Sequence, residues 1–295
     1  MTDAEELLRL QVELYEQELS DGDGLVDFAS QLALGERFAT LVDDPQAFAV
    51  IAELMAHAHP HMRRLGSLTL HALPYRWYSL AAPLAEQHLQ DGFTWVEYDC
   101  VRFFLNNGSL DERIIQLLEA KRASTTKDDV AKIAEKAVAG LRELQAGYRE
   151  PLVPRESEGL RFSIPASWSL IAQAQGIQVF ASPELSSRKL TPRHCRSALK
   201  IQAVPNLGQA QIDDMISGNL QLCRTEQVID LPALRDHADS RALFYRESEV
   251  FPELNLREFR GHGSTLLVNN VMSPLSHLDV ASARNLAILD SITPL

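Results

Sequence analysis

The feature that most restricts the fold is a change of period near residue 159. Before it, apolar residues recur three or four positions apart; after it, they recur at every second position. The stretch Leu160-Arg161-Phe162-Ser163-Ile164-Pro165-Ala166-Ser167-Trp168 marks the switch. Leu160, Phe162 and Ile164 share one face of a short strand, which stops at Pro165 and turns into Trp168. Two periods in separate halves exclude one continuous helical array and one continuous sheet. With 295 residues, each half can bury its own core. The expectation is an α+β two-domain chain: helices over 1–146, a linker over 147–159 rich in Gly, Pro and charge, and an antiparallel sheet covered by helices over 160–295.

In the helical half, Leu7, Leu10 and Leu14, with Leu19 beyond, form an apolar stripe over residues 4–20, with acids opposite. A second helix is expected from about Leu25 to Val42. Three helical hairpins then follow: Pro45–Ala58 with His61–Leu73, Ala82–Leu89 with Thr94–Leu105, and Asp111–Ala123 with Lys127–Leu144. The inner helices fall in step at about 34 residues, with Leu65, Tyr98 and Ile133 in register, a period typical of stacked hairpins. Asp44-Pro45, Met62-Arg63-Arg64-Leu65-Gly66-Ser67-Leu68 and Val130-Ala131-Lys132-Ile133-Ala134-Glu135-Lys136-Ala137-Val138 resemble HEAT repeats. The middle hairpin departs from that pattern at Asp99 and Cys100.

In the second half, Ile177/Val179/Ala181 and Leu199/Ile201/Ala203 alternate with other residues as strand faces do. A helix with Ile212, Met215, Ile216 and Leu220 on one side follows Pro205-Asn206. Strands are expected near 226–230, 241–247, 254–260 and 264–272, then a closing helix over 279–292. Ile164-Pro165-x-x-Trp168, the element order and the ending Ile288-Leu289-Asp290-Ser291-Ile292 resemble the PsbP-like fold, an α/β/α sandwich. That superfamily includes photosystem extrinsic proteins, a Ran-binding nuclear transport factor, bacterial lipoproteins and the Eag-type chaperones of type VI secretion effectors. The resemblance implies a shared fold and, for most members, protein binding; it implies no reaction.

Charge and motifs narrow the function. Residues 1–150 hold 25 acidic and 14 basic side chains, and the first 28 residues hold nine acids against Arg9 alone, a distribution that repels a phosphate backbone; nucleic acid is not an expected partner. No apolar run approaches the ~18 residues of a membrane span, and the acidic start is unlike a secretory signal, so a cytoplasmic protein is expected. Three distant cysteines (Cys100, Cys195, Cys223) suggest neither a disulfide framework nor a zinc site. There is no GxGxxG or GxxxxGK[ST] loop, and no cofactor is expected.

Several groups remain as candidates. Tyr75, Arg76, Trp77, Tyr78 and Trp95 are the residue types that anchor protein interfaces, and also ordinary filling between hairpins. Arg188, Lys189, Arg193 and Arg196, with His194 and Lys200, make an acid-free basic stretch suited to an anion or an acidic partner, or to a solvated loop. His57, His59 and His61 are spaced like metal ligands, but Pro60 interrupts the helix and no carboxylate follows within a turn; no metal site is expected. Cys195 beside His194 cannot form a dyad on a strand, where neighbours face opposite ways. Asp43-Asp44 and Asp213-Asp214 suit helix starts better than catalysis.

The expectation is therefore a non-enzymatic protein-interaction module, an adaptor or chaperone for another protein, of the secretion-effector type by analogy. Two alternatives stay open. One is an enzyme or small-molecule binder that uses an interdomain cleft. The other is an immunity or toxin-neutralising protein whose acidic half is the inhibitory face.

Overall fold

The computed structural model describes residues 3–21, 27–174, 176–183, 197–246 and 253–295. The chain divides into two compact units, Met1–Leu141 and Arg142–Leu295. The first is helical; the second is an antiparallel sheet with helices, so the layout is α+β.

Among the described residues, eight α-helices follow one another: α1 (Asp3–Asp21), α2 (Phe28–Leu41), α3 (Pro45–Met55), α4 (Pro60–Ala72), α5 (Tyr78–Gln87), α6 (Thr94–Asn106), α7 (Glu112–Ser124) and α8 (Asp128–Arg149). Their starts are written in local chemistry. The Asp44 carboxylate accepts from the Gln46 and Ala47 amides (both 2.8 Å) ahead of Pro45, whose missing N–H costs nothing in a first turn. Asp27 and Asp111 cap α2 and α7 in the same way. Helices α4, α6 and α8 begin at Pro60, Thr94 and Asp128, an even step of about 34 residues. Leu65 and Ile133 are buried along these helices, whereas Tyr98, expected in register with them, is only partly buried and Val96 takes the interior place. Ionic ties also join elements distant in sequence. Arg63 makes a forked pair with Asp91 (2.8 Å to each oxygen), and Glu97 meets both Lys121 and Lys127 at 3.0 Å.

Helix α1 differs from its sequence pattern. The residues turned inward are Leu8, Gln11 and Tyr15, whereas Leu7, Leu10 and Leu14 are 41%, 52% and 50% exposed. The physical reason is a hydrogen bond: Gln31, wholly buried, donates to the Tyr15 hydroxyl at 2.6 Å and fixes which face docks.

The division at Leu141/Arg142 falls inside α8, and the stretch read as a linker, 147–159, holds the end of that helix and strand β1 (Leu152–Ser157). Pro154 fits there because β1 is an edge strand, where an absent N–H is tolerated. β1 pairs with β2 (Leu160–Pro165), which also pairs with β10 (Thr293–Pro294).

The larger sheet has seven strands: β3 (Ser169–Ala174), β4 (Ile177–Ala181), β5 (Ala198–Val204), β6 (Gln227–Val228), β7 (Arg241–Arg246), β8 (Glu253–His262) and β9 (Thr265–Pro274). Their order is β3-β4-β5-β9-β8-β7-β6, and every pairing is antiparallel. Strand alternation gives it two faces. Leu199, Leu243, Leu254, Leu256 and Val271 pack with β2 and with helix α10 (Leu278–Asp290). Phe244, Phe259 and Leu266, of opposite parity, pack with Ile212, Leu220 and Cys223 of helix α9 (Gln209–Arg224). Strand β4 corrects the sequence reading in part: of the expected face Ala181 is buried but Ile177 and Val179 are only half-buried, while Phe180 packs on Phe162 (ring centres 5.0 Å) and the buried Gln178 donates to the Ser157 hydroxyl at 2.7 Å. β7 and β8 pair antiparallel, and the residues between them, 247–252, lie outside the described residues.

Candidate functional site

With its inner face committed to Leu8, Gln11 and Tyr15, α1 presents Leu7, Leu10 and Leu14 outward at spacings of three and four residues, one apolar line over two turns. At about 100° per residue, Glu6 and Glu13 border this line on one side and Glu18 on the other, all exposed, while Asp3 and Asp21 lie at its ends. The helix has one base, Arg9, one turn from both Glu6 and Glu13 on the side of the line that they border. It is already engaged by Glu5 (3.0 Å) and, through both terminal nitrogens, by Glu53 (2.7 and 3.0 Å). These carboxylates hold the Arg9 guanidinium protonated, and Arg9 in return draws the Glu53 carboxyl below its usual range. The one cation beside these acids is thus already shared by two other carboxylates, and the flank stays net negative.

The aromatic candidates do not form one surface. Trp77 is buried and stacks on Phe48 at 5.7 Å. Tyr75 stacks on Tyr78 (5.2 Å) and Tyr78 on Phe103 (5.7 Å), while the Tyr78 hydroxyl donates to Ser109 at 2.9 Å. This pile is interior filling. Arg76 is exposed, its guanidinium 5.9 Å from the Trp77 ring centre. Trp95 is separate and partly exposed. Its ring and that of Phe28 lie 5.0 and 4.8 Å from the guanidinium of Arg64.

Beneath Trp95 lies a buried polar group that no spacing in the sequence announced. Asp99 accepts from the Ser67 hydroxyl at 3.2 Å and faces Arg64 Nε at 3.8 Å, an ion pair too long for a hydrogen bond. Burial pushes the Asp99 carboxyl up to about 7, against the opposing pull of Arg64 and Ser67. The Asp99 carbonyl can only accept, so His71 Nε2 (2.8 Å) carries the proton and His71 Nδ1 accepts from Asn106 (3.1 Å). Such a carboxyl titrates where a general acid or base would, yet it is 2% exposed.

The histidines are occupied with their own chain. His57 Nδ1 accepts from the His59 amide (3.0 Å), and His59 Nδ1 accepts from the His61 amide (3.3 Å) as the cap of α4. His57 Nε2 meets Glu16 at 3.1 Å. Burial lowers the affinity of His61 for a proton. Among the described residues no three His, Cys, Asp or Glu side chains gather as metal ligands would. The basic candidates Arg188, Lys189, Arg193 and Arg196, with His194 and Cys195, lie outside the described residues.

The second unit has its own buried polar cluster. Tyr148 lies 2.7 Å from His277 Nδ1 and 3.3 Å from the Ser197 hydroxyl. The Arg284 guanidinium lies over the rings of Tyr148 (4.1 Å) and Trp168 (5.2 Å), with a long contact to Ser273 at 3.3 Å. A Ser–Tyr–His line suggests proton transfer, but Ser197 and His277 are buried, and the line ties the end of α8 to the residues that open β5 and α10. Among the described residues no helix is long and apolar enough to cross a membrane.

No known family's profile matches the chain, and no curated protein matches it. Two solved structures are similar in part. One, a protein of Bacteroides thetaiotaomicron, is 12% identical with a TM-score of 0.32, and the match covers 48% of each chain. The chain thus spans about half the length of that protein. The other is the cyanobacterial PsbP (CyanoP) of Synechocystis, 9% identical with a TM-score of 0.29, covering 49% of this chain and 92% of that one. Scores this low carry no argument about what the chain does.

Proposed function

We propose that this chain is a non-enzymatic protein-interaction module of the cytoplasm, with HEAT-like helices in the first unit and a PsbP-like arrangement in the second. On this reading it is an adaptor or chaperone for another protein, of the secretion-effector type by analogy. The observation that carries the reading is the line Leu7, Leu10, Leu14: three leucines about half exposed on one face of a helix whose other face is docked. The buried placement of Asp99, His71, Ser197 and His277 also favours binding over catalysis, since groups able to move protons are walled off. The acidic border of α1 equally suits an inhibitor of a basic protein, the immunity reading, which would use the same face.

The test is photo-crosslinking in cells with a benzophenone amino acid in place of Leu10, and in place of Leu222 as an exposed apolar control on α9. The expected result is a defined protein adduct from position 10 that is absent from position 222. Equal labelling from both positions, or none from position 10, refutes the reading.

A further inference from the structure

The outward face of α1 specifies more than that something binds. Leu7, Leu10 and Leu14 repeat in the three–four rhythm of a helix-pairing seam, in which each side chain enters a hole between residues of a facing helix. The same rhythm continued reaches Asp3 on one side and Gln17 and Asp21 on the other, so the apolar seam is two turns long and polar at both ends. Positions flanking a seam select the partner by charge, and here the exposed flanks are Glu6, Glu13 and Glu18. Arg9, one turn from Glu6 and Glu13, already serves Glu5 and Glu53, so a single cation stands among four carboxylates and that flank stays net negative.

Three other occupants meet the same charges and are disfavoured. A second copy of α1 would set glutamate against glutamate in either orientation. An anionic membrane surface repels a helix whose polar flanks are acidic, the reverse of the Lys- and Arg-bordered helices that lie on bilayers. A phosphate backbone is repelled for the same reason.

We infer that the Leu7–Leu10–Leu14 face of α1 docks an amphipathic helix of another protein whose apolar stripe is bordered by lysine or arginine. This rests on the protein-interaction reading above and names the chemistry of its partner. The seam spans only about 10 Å at 1.5 Å per residue, so three or four turns of partner helix cover it. The leucines supply the apolar contact, and the glutamates supply selectivity and a faster encounter.

Synthetic peptides test this without knowledge of the natural partner. Three helices of about 20 residues are compared against the full chain by fluorescence anisotropy: leucine stripe with lysine flanks, the same stripe with glutamate flanks, and the lysine peptide with its order scrambled. The lysine-flanked helix is expected to bind at least about tenfold tighter than either control, and severalfold more weakly at about 300 mM than at about 50 mM salt. Leu7→Ser/Leu10→Ser/Leu14→Ser abolishes that binding while leaving the circular dichroism melt in place, since the three side chains lie on the surface. Glu6→Lys/Glu13→Lys/Glu18→Lys inverts the preference to the glutamate-flanked peptide, a gain that misfolding cannot imitate. Equal binding of both patterned peptides, or binding untouched by the leucine changes, overturns the inference. If no peptide binds while Leu10 still crosslinks a protein in cells, the basic-helix inference falls and the interaction reading survives. If the crosslink is absent as well, both fall.

Discussion

Asp99 in the helical unit and Glu258 in the sheet unit are equally buried, each 2% exposed, yet their surroundings differ. Glu258 accepts from Arg241 through two nitrogens (2.9 and 2.7 Å), from Arg260 (2.8 Å) and from Asn269 (3.0 Å). Asp99 has one hydroxyl at 3.2 Å and an arginine at 3.8 Å, and its carboxyl is pushed up to about 7. The difference follows from geometry. Neighbouring strands set residues directly opposite, as Arg241 stands across from Glu258, so several donors converge on one carboxylate. The facing helices leave Arg64 stacked on two rings instead, at the wrong distance to donate. How many donors reach a buried acid, more than how deep it lies, sets what the burial costs.

The largest effect that tests this comparison is Glu258→Ala. It leaves Arg241 and Arg260 without their shared acceptor, and denaturant unfolding is expected to show a loss of about 3–5 kcal/mol. A loss under about 1 kcal/mol would mean that the network is replaceable.

Next comes the pH dependence of Asp99. Its folded value, about 7, lies above the ordinary 3.8, so the folded state holds a proton that the unfolded chain has released. The associated stability is fully present below about pH 4 and is lost as pH rises through about 7, at up to about 1.4 kcal/mol per pH unit. Asp99→Asn removes this slope and makes the protein more stable than the parent at pH 8. A parallel pH profile for the two proteins would show that the carboxylate finds donors after all.

A smaller change, about 1 kcal/mol, is expected for Asp44→Ala, which strips the cap from α3 and is read as a lowered thermal midpoint. The smallest belongs to the leucine face. The triple serine variant of α1 should melt within about 2 °C of the parent, which separates a binding surface from a packing one.

The helices were legible wherever their own residues start them. Asp44-Pro45, Asp111 and the even step through Pro60, Thr94 and Asp128 are local signals, and they place α3, α4, α6, α7 and α8 closely. Strands were legible where one face meets a core, as in Leu160/Phe162/Ile164 and Leu199/Ile201. What failed was set by distant partners. β3 is exposed along its whole length and carries no alternation to read. β4 buries Gln178 and Phe180, which find Ser157 and Phe162, ahead of Ile177 and Val179, and α1 turned its other face inward because Tyr15 finds Gln31. The Asp99 cluster joins residues about thirty apart with no motif between them, and its one clue was that Asp99 broke the helical repeat where a small apolar residue belonged.

The sheet unit is closed by its last residues. Thr293 and Pro294 pair with Arg161 and Leu160, the Ser291 hydroxyl accepts from the Ser163 amide (2.7 Å), and the Leu295 amide donates to the Gly159 carbonyl (2.9 Å). On the ribosome, β2 emerges roughly 130 residues before the segment that completes it, whereas the preceding helices meet most of their neighbours within a few tens of residues. Phe162 meets Phe180 (ring centres 5.0 Å) early, but the cover that α10 and β10 give to this face comes only when synthesis reaches them. During translation the nascent β1–β2 hairpin is therefore exposed to aggregation until that cover arrives.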